Sequence, residues 1–153
     1  MPEPAPGRAG REPLPGSRFL SDAIAEKVRA YRLLRRLKQD DVADRMRKLR
    51  HQTWTRQTVS DVERVQRNLT VDELVGLSIV FELSLNELLD PVPVDGGPPP
   101  ALDVGLPVPI PPDIVRHWSA GASIFLTPEI RDGKPGVRVT AVGHLADQEE
   151  ERK

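Results

Sequence analysis

The order of apolar and polar positions divides the chain into a helical middle and two flanks of different character. From Ser21 the pattern turns helical: Ile24, Val28 and Tyr31 recur at spacings of four and three, one stripe of a helix. Val42, Met46 and Leu49 repeat those spacings, and Asp40 and Asp41 stand in that segment's first turn, where the helix dipole favours acids. Thr55 is a good N-cap for a third helix. Trp54 before it and Val59 at its fourth position occupy the two sites of a hydrophobic staple, with Val59 and Val62 facing inward. Leu69-Thr70-x-x-Glu73-Leu74 and Leu83-Ser84-x-x-Glu87-Leu88 are capping boxes with staples that start a fourth and a fifth helix. Leu74, Leu77 and Phe81 form the stripe of the fourth, and Pro91 stops the fifth. The pattern predicts a mainly α fold: five short helices over residues 19–91, with one longer loop from Arg50 to Trp54.

The helix breakers mark the same limits. Of the 16 prolines, five lie in residues 1–15, none in 16–90 and eleven in 91–153, and Gly76 is the one glycine inside 17–90. Residues 1–18 are therefore expected to be a disordered N-terminal arm, and residues 92–112 a Pro-rich extended linker. Beyond it, 113–144 reads as a small α/β appendage. Asp113 to Trp118 suit a short helix, and Ser123 to Leu126 and Val137 to Val142 are β-like around a turn region from Thr127 to Gly136. A lone hairpin is marginal in water, so this piece either packs on the helices or pairs with another copy. Residues 145–153 read as a solvated tail.

The composition excludes several chemistries. With no cysteine, the chain has no disulfide scaffold, thiolate metal site or cysteine nucleophile, which fits a reducing compartment. No apolar run approaches the ~20 residues that span a bilayer, and the N-terminus lacks the apolar stretch of a signal peptide, so the expected location is cytoplasmic, away from membranes. Asp113 and His117 are too few for a closed metal site; neither a metal nor another cofactor is expected. The net charge of −1 conceals a gradient. Residues 27–67 hold thirteen Lys/Arg against five Asp/Glu, a net of +8, whereas 68–90 hold five acids and no base. A local basic block of this kind suits a polyanion.

The third helix gives the block a purpose. Arg56, Gln57, Ser60, Asp61 and Arg64 lie opposite Val59 and Val62. A helix that enters a major groove needs this layout: one stripe anchors it, and the other offers donors and acceptors to base edges, Gln to adenine and Arg to guanine. Flanking bases meet phosphates and fix register; Arg45, Arg47, Lys48, Arg50, Arg64 and Arg67 are candidates. Asp61 either accepts from a cytosine amino group or only screens the neighbouring arginines.

Several fragments, in order, resemble the Cro/lambda-repressor-type (XRE) helix-turn-helix family. They are Val28-Arg29-x-x-Arg32, Leu37-x-Gln39-x-x-Val42-Ala43, Thr58-Val59-Ser60-x-Val62-Glu63-Arg64, Asn68-x-Thr70-x-x-x-Leu74 and Leu83-Ser84-Leu85-x-Glu87-Leu88-Leu89. The resemblance covers about residues 21–90. It implies that Gln39 contacts a phosphate at the start of the second helix, where free N–H groups meet an anion. It further implies that Arg56 and Gln57 read bases, with Asp61 one turn later, and that Thr55 and Thr58 neighbour phosphates or bases. Arg67 and Asn68 fall in the loop that grips the backbone, and Arg32 and Glu63 form a structural ion pair.

Three departures from the family pattern stand out. Ala43 to Ser60 is about six residues long beyond the usual spacing, through RKLRHQTW, which either lengthens helix two or forms a loop along the DNA. Val65 replaces the usual glycine after helix three, so that helix is expected to run on, because a β-branched residue is costly at positive φ. Lys38 replaces a small hydroxyl N-cap. The resemblance implies a sequence-specific transcriptional regulator on double-stranded DNA, commonly a homodimer on an inverted repeat. An alternative is an antitoxin or adaptor whose residues 113–144 bind a protein partner. An enzyme or ligand sensor in 103–143 lacks a catalytic cluster to support it.

Overall fold

A computed structural model of the chain describes residues 11–119 and 121–142. Among the described residues, six helices and two small sheets follow in the order β1 (Ser17–Phe19), α1 (Leu20–Leu34), α2 (Gln39–Lys48), α3 (Arg56–Glu63), α4 (Val71–Phe81), α5 (Leu85–Leu89), β2 (Ala101–Asp103), α6 (Pro112–Ser119), β3 (Ser123–Arg131) and β4 (Lys134–Val142). The helical stripes converge on one core. Val28, Val42, Met46, Trp54, Val59, Val62, Leu77, Phe81 and Leu88 are buried there, with Ile24, Tyr31 and Leu74 packed at its margin. Leu49 departs from the expected stripe: α2 ends at Lys48, so Leu49 becomes its C-cap and stays partly exposed.

Capping chemistry sets where the helices begin. Thr70 and Ser84 each accept from the backbone N–H three residues on, and Glu73 and Glu87 accept in return from the Thr70 and Ser84 N–H groups. Lys38 has no oxygen to offer at the start of α2. Only half of the box exists there, with the Lys38 N–H donating to Asp41 Oδ2 at 2.7 Å.

Glycine plays no part where these helices end. Arg36, Arg50, Val65 and Glu82 follow α1 to α4 with φ of 55°, 70°, 57° and 55°. After α3, the Gln66 N–H reaches the Asp61 carbonyl at 2.8 Å and the Val65 N–H reaches Val62 at 3.1 Å, the paired bonds of a Schellman motif. Helix three therefore stops at Glu63 rather than running on past Val65. Satisfying two orphan carbonyls outweighs the steric cost of valine in the left-handed region. The domain's one glycine serves packing instead. A Cβ on Gly76 would lie 2.9 Å from Met46 Cε and 2.9 Å from His51 Nε2, so the bare backbone at residue 76 is what lets these two side-chain ends lie directly on α4.

The flanks are more ordered than their composition suggests. Ser17–Phe19, its first two residues expected within a disordered arm, pairs in parallel with Ala101–Asp103, expected within an extended linker. Asp103 explains the docking. Its buried carboxylate accepts from Arg11 Nη2 at 2.6 Å, from the Leu14 N–H at 3.2 Å and from the Gly105 N–H at 2.9 Å. The Gly105 N–H holds this carboxyl below its ordinary range; burial opposes, and Leu14 and Arg11 reinforce. Residues 1–10 and 143–153 lie outside the described residues.

A second, smaller core of Leu102, Ile110 and Val115 gathers Leu20, Trp118, Ile124 and Val139 around it and seats the β3–β4 hairpin on α6. The expected turn region from Thr127 to Gly136 is mostly strand. Pairing continues to Arg131↔Lys134, and only Asp132 and Gly133 turn, with φ of 52° and 73°. An Asp-Gly pair with both φ positive suits the two-residue turn that matches strand twist. Pro128 and Pro135 concealed it, since proline fits a strand only at an open edge.

Left-handed caps without glycine leave stability to be gained. Glu82→Gly is expected to raise the unfolding free energy by about 0.5–1 kcal/mol, read from the urea midpoint, because relief of the backbone strain exceeds what the exposed Arg35–Glu82 ion pair contributes. An unchanged or lower midpoint would contradict this account of the caps.

Candidate nucleic-acid interface

The site begins with a buried carboxylate. Glu63, the last residue of α3, accepts from Arg32 Nε at 2.5 Å and Nη2 at 3.0 Å, and from Gln39 Nε2 at 3.0 Å. Arg32 also donates from Nη1 to the Leu37 carbonyl at 3.1 Å, across the turn between α1 and α2. A bidentate arginine pair with side chains only 12% and 6% exposed is a strong charge-assisted contact. The Glu63 hydrogen bond holds the Arg32 pKa above its ordinary value; burial opposes, and the Glu63 charge reinforces. One carboxylate thus joins α1, the first residue of α2 and the end of α3.

The outer face of α3 is polar and open. Thr55 caps it, accepting from the Thr58 N–H at 3.2 Å while the Thr55 N–H donates to Thr58 Oγ1 at 3.1 Å. Arg56 and Gln57, the first residues of the helix, are exposed. Gln57 Nε2 donates to Asp61 Oδ1 at 2.6 Å. Arg64 Nη2 donates to Ser60 Oγ at 2.7 Å and stands 3.7 Å from Asp61 Oδ1. Asp61 thus sits between two of the sequence-predicted contact residues and orients both. A concavity of about 660 Å³ runs beside them, lined by Gln39, Asp40, Arg47, Thr55, Arg56, Gln57, Ser60 and Arg64. Seven of these eight, all but Asp40, are residues that the sequence singles out for DNA, and the fold brings them to one surface.

Residues 28–88 match the family model described as Helix-turn-helix. This segment is a helix-turn-helix domain of the Cro/lambda-repressor type. No curated protein and no solved structure matches the chain. The matched family is one of DNA-binding domains. No helix among the described residues is long and apolar enough to cross a membrane, and no group of three or more His, Asp or Glu among them could hold a metal ion.

The helix-turn-helix domain departs from its family at the turn between α2 and α3, and there the extra residues are pinned in place. Arg47 and Lys48 belong to α2, and residues 49–54 form a loop. Arg47 Nη1 donates to the Trp54 carbonyl at 2.6 Å, Gln52 Nε2 donates to the Arg47 carbonyl at 3.2 Å, and His51 packs over Gly76. Trp54 is the deepest anchor, 1% exposed, with Nε1 donating to Glu73 Oε1 at 2.9 Å. Glu73 is also paired with Arg67, whose guanidinium stacks 5.6 Å from the Trp54 ring centroid.

Arg67, which the resemblance assigns to the backbone-gripping loop, is therefore committed inward, and its Nη1 is buried without a partner among the described residues. Asn68 beside it is exposed. Arg45 donates to the Val80 carbonyl at 3.4 Å, and Arg47 also pairs with Asp44. Sequence reasoning finds Trp54 as core and Glu73 as a cap. It misses that they meet, because no periodicity connects residues nineteen positions apart on different elements.

Burial pushes the Glu73 carboxyl up, but the hydrogen bonds from Arg67, the Thr70 N–H and Trp54, with the Arg67 charge, outweigh it and hold the pKa at about 2. A depressed carboxylate stabilises the fold above its unfolded pKa of about 4.3, and that stability is lost as pH falls through the folded value. Unfolding free energy should thus fall by on the order of 3 kcal/mol between pH 5 and pH 2 through this group. Glu73→Gln should remove that part of the slope in denaturant titrations across the window. A slope equal to the parent's would sink the assignment.

Proposed function

We propose that this protein is a sequence-specific DNA-binding transcriptional regulator that inserts α3 into the major groove. The observation that carries the reading is the convergence of the α3 outer face and the α2 N-terminus on one open polar surface. Helices α1 to α5, within residues 19–91, form the DNA-binding unit. The Pro-rich stretch 92–112 connects it to an appendage at 113–144. The protein acts in the cytoplasm, as a homodimer on an inverted repeat.

The roles follow from donor and acceptor counts. Gln57 has two N–H donors and one carbonyl oxygen. One N–H is used by Asp61, which leaves one donor and the acceptor, the pair that an adenine edge requires. Arg56, exposed at the first helical position, offers a fork to guanine or to phosphate. Gln39, held by Glu63 through Nε2, and Thr55 stand at helix N-termini, where N–H groups suit a phosphate. Thr58, Ser60, Arg64 and Asn68 supply flanking contacts. Asp61 serves as the orienting acceptor, and Arg67 braces the loop from behind through Glu73.

The test is selection of binding sites from random duplexes, followed by titration at two salt concentrations. A preferred inverted repeat and a steep fall of affinity with salt are expected. Gln57→Ala should weaken the preferred site by about 1–3 kcal/mol and relax base choice at one position of each half-site. Uniform, weak binding to every duplex would defeat the proposal.

A further inference from the structure

The β3–β4 hairpin has one face made only of apolar residues. Its register places Ile124, Leu126, Pro128 and Ile130 on the same side as Ala141, Val139, Val137 and Pro135. The opposite side carries all the charges of the two strands, and Glu129 pairs there with Arg138 at 2.8 Å. The base of the apolar face, at Ile124 and Val139, packs against the α6 core. Beyond that base nothing among the described residues covers it: Leu126 is 45% and Ile130 81% exposed. A two-stranded ribbon is marginal in water, and one with its apolar face wet is more so.

We propose that this face packs against the same face of a second copy of the chain, making a two-layer, four-stranded sandwich. Three features select this occupant. First, the face is free of charge. An ionised group at the twofold axis would meet its own like-charged copy, and none stands on this face to be desolvated without a partner. Second, Pro128 and Pro135 place one residue without an N–H in each strand, and each strand is an outer edge of the ribbon. Prolines blunt edge-to-edge strand addition, which leaves the flat face as the means of association.

Third, the size fits a reversible self-association. Beyond the covered base the strands run about 20 Å to the turn, and a two-stranded face about 10 Å wide offers roughly 200 Å² before side-chain relief. That lies below the roughly 800 Å² per partner of a stable complex. It suits only a weak, reversible dimer, which two DNA half-sites then reinforce by raising the effective concentration. Only that last use rests on the DNA-binding reading.

Sedimentation equilibrium of the full chain, from about 1 to about 100 µM, tests the proposal. A dimer with a Kd in the micromolar range is expected. Leu126→Asp and Ile130→Asp should each raise that Kd at least about tenfold, while Thr127→Asp on the opposite face leaves it unchanged. Both apolar sites are solvent-facing, and circular dichroism should show the same helix content in all variants. A parent chain that stays monomeric throughout would overturn the proposal and leave the face to a different protein. Aspartate variants that dimerise like the parent would overturn it as well. Binding to a single half-site separates the two readings: a dimer that weakens as expected, in protein that distinguishes no duplex, upholds the interface and removes the regulator.

Discussion

A carboxylate costs free energy to bury, and Glu63 is stabilised only while its donors stay in place. Those donors come from two other helices: Arg32 from α1 and Gln39 from the first turn of α2. The pair adds little net stability over an apolar contact of the same size, since desolvation offsets most of the attraction. What it fixes is direction. Glu63 closes α3, so the axis of that helix is set against both of its neighbours at the end opposite Arg56 and Gln57. Valines 59 and 62 hold the same helix from behind. A reading face is useful only if its side chains arrive together, and this triad sets how they arrive.

The other end of α3 is fixed differently. The turn before it is long and basic, a composition that ordinarily moves freely in solvent. Here the indole of Trp54 fills the core, and its N–H finds Glu73. Arg67 lies across the ring and meets the same carboxylate. Glu73 is at once the reciprocal cap of α4, the acceptor of the indole and the counter-ion of Arg67. The absent side chain of Gly76 then lets His51 lie down on α4. Extra length at the turn thus brings extra contacts with it, and α3 is braced at both ends.

Much of this was legible in the residues. The Thr-x-x-Glu and Ser-x-x-Glu boxes place α4 and α5, and the valine spacing separates the buried from the open face of α3, because caps and periodicity are local properties of the chain. What was not legible depends on distant partners or on compensation. Val65 looked unable to end a helix, yet two backbone bonds outweigh its strain. Arg67 was legible as a candidate phosphate contact, but not as the residue that also meets Glu73 and Trp54. Gln57 and Asp61 were visible as neighbours one turn apart, but not as donor and acceptor. Arg11 and Asp103, ninety-two positions apart, hold together two stretches that composition alone presents as loose.

Leu20 opens the first helix of the DNA-binding unit and at the same time packs into the small core that seats the C-terminal ribbon. With β1 joined to β2 just before it, the two bodies share a residue and a strand ladder rather than a simple tether. Twisting or tilting of the ribbon is therefore felt at the N-terminal turn of α1, and the placement of the ribbon against the helices is a property of the folded molecule instead of the contour length of its prolines.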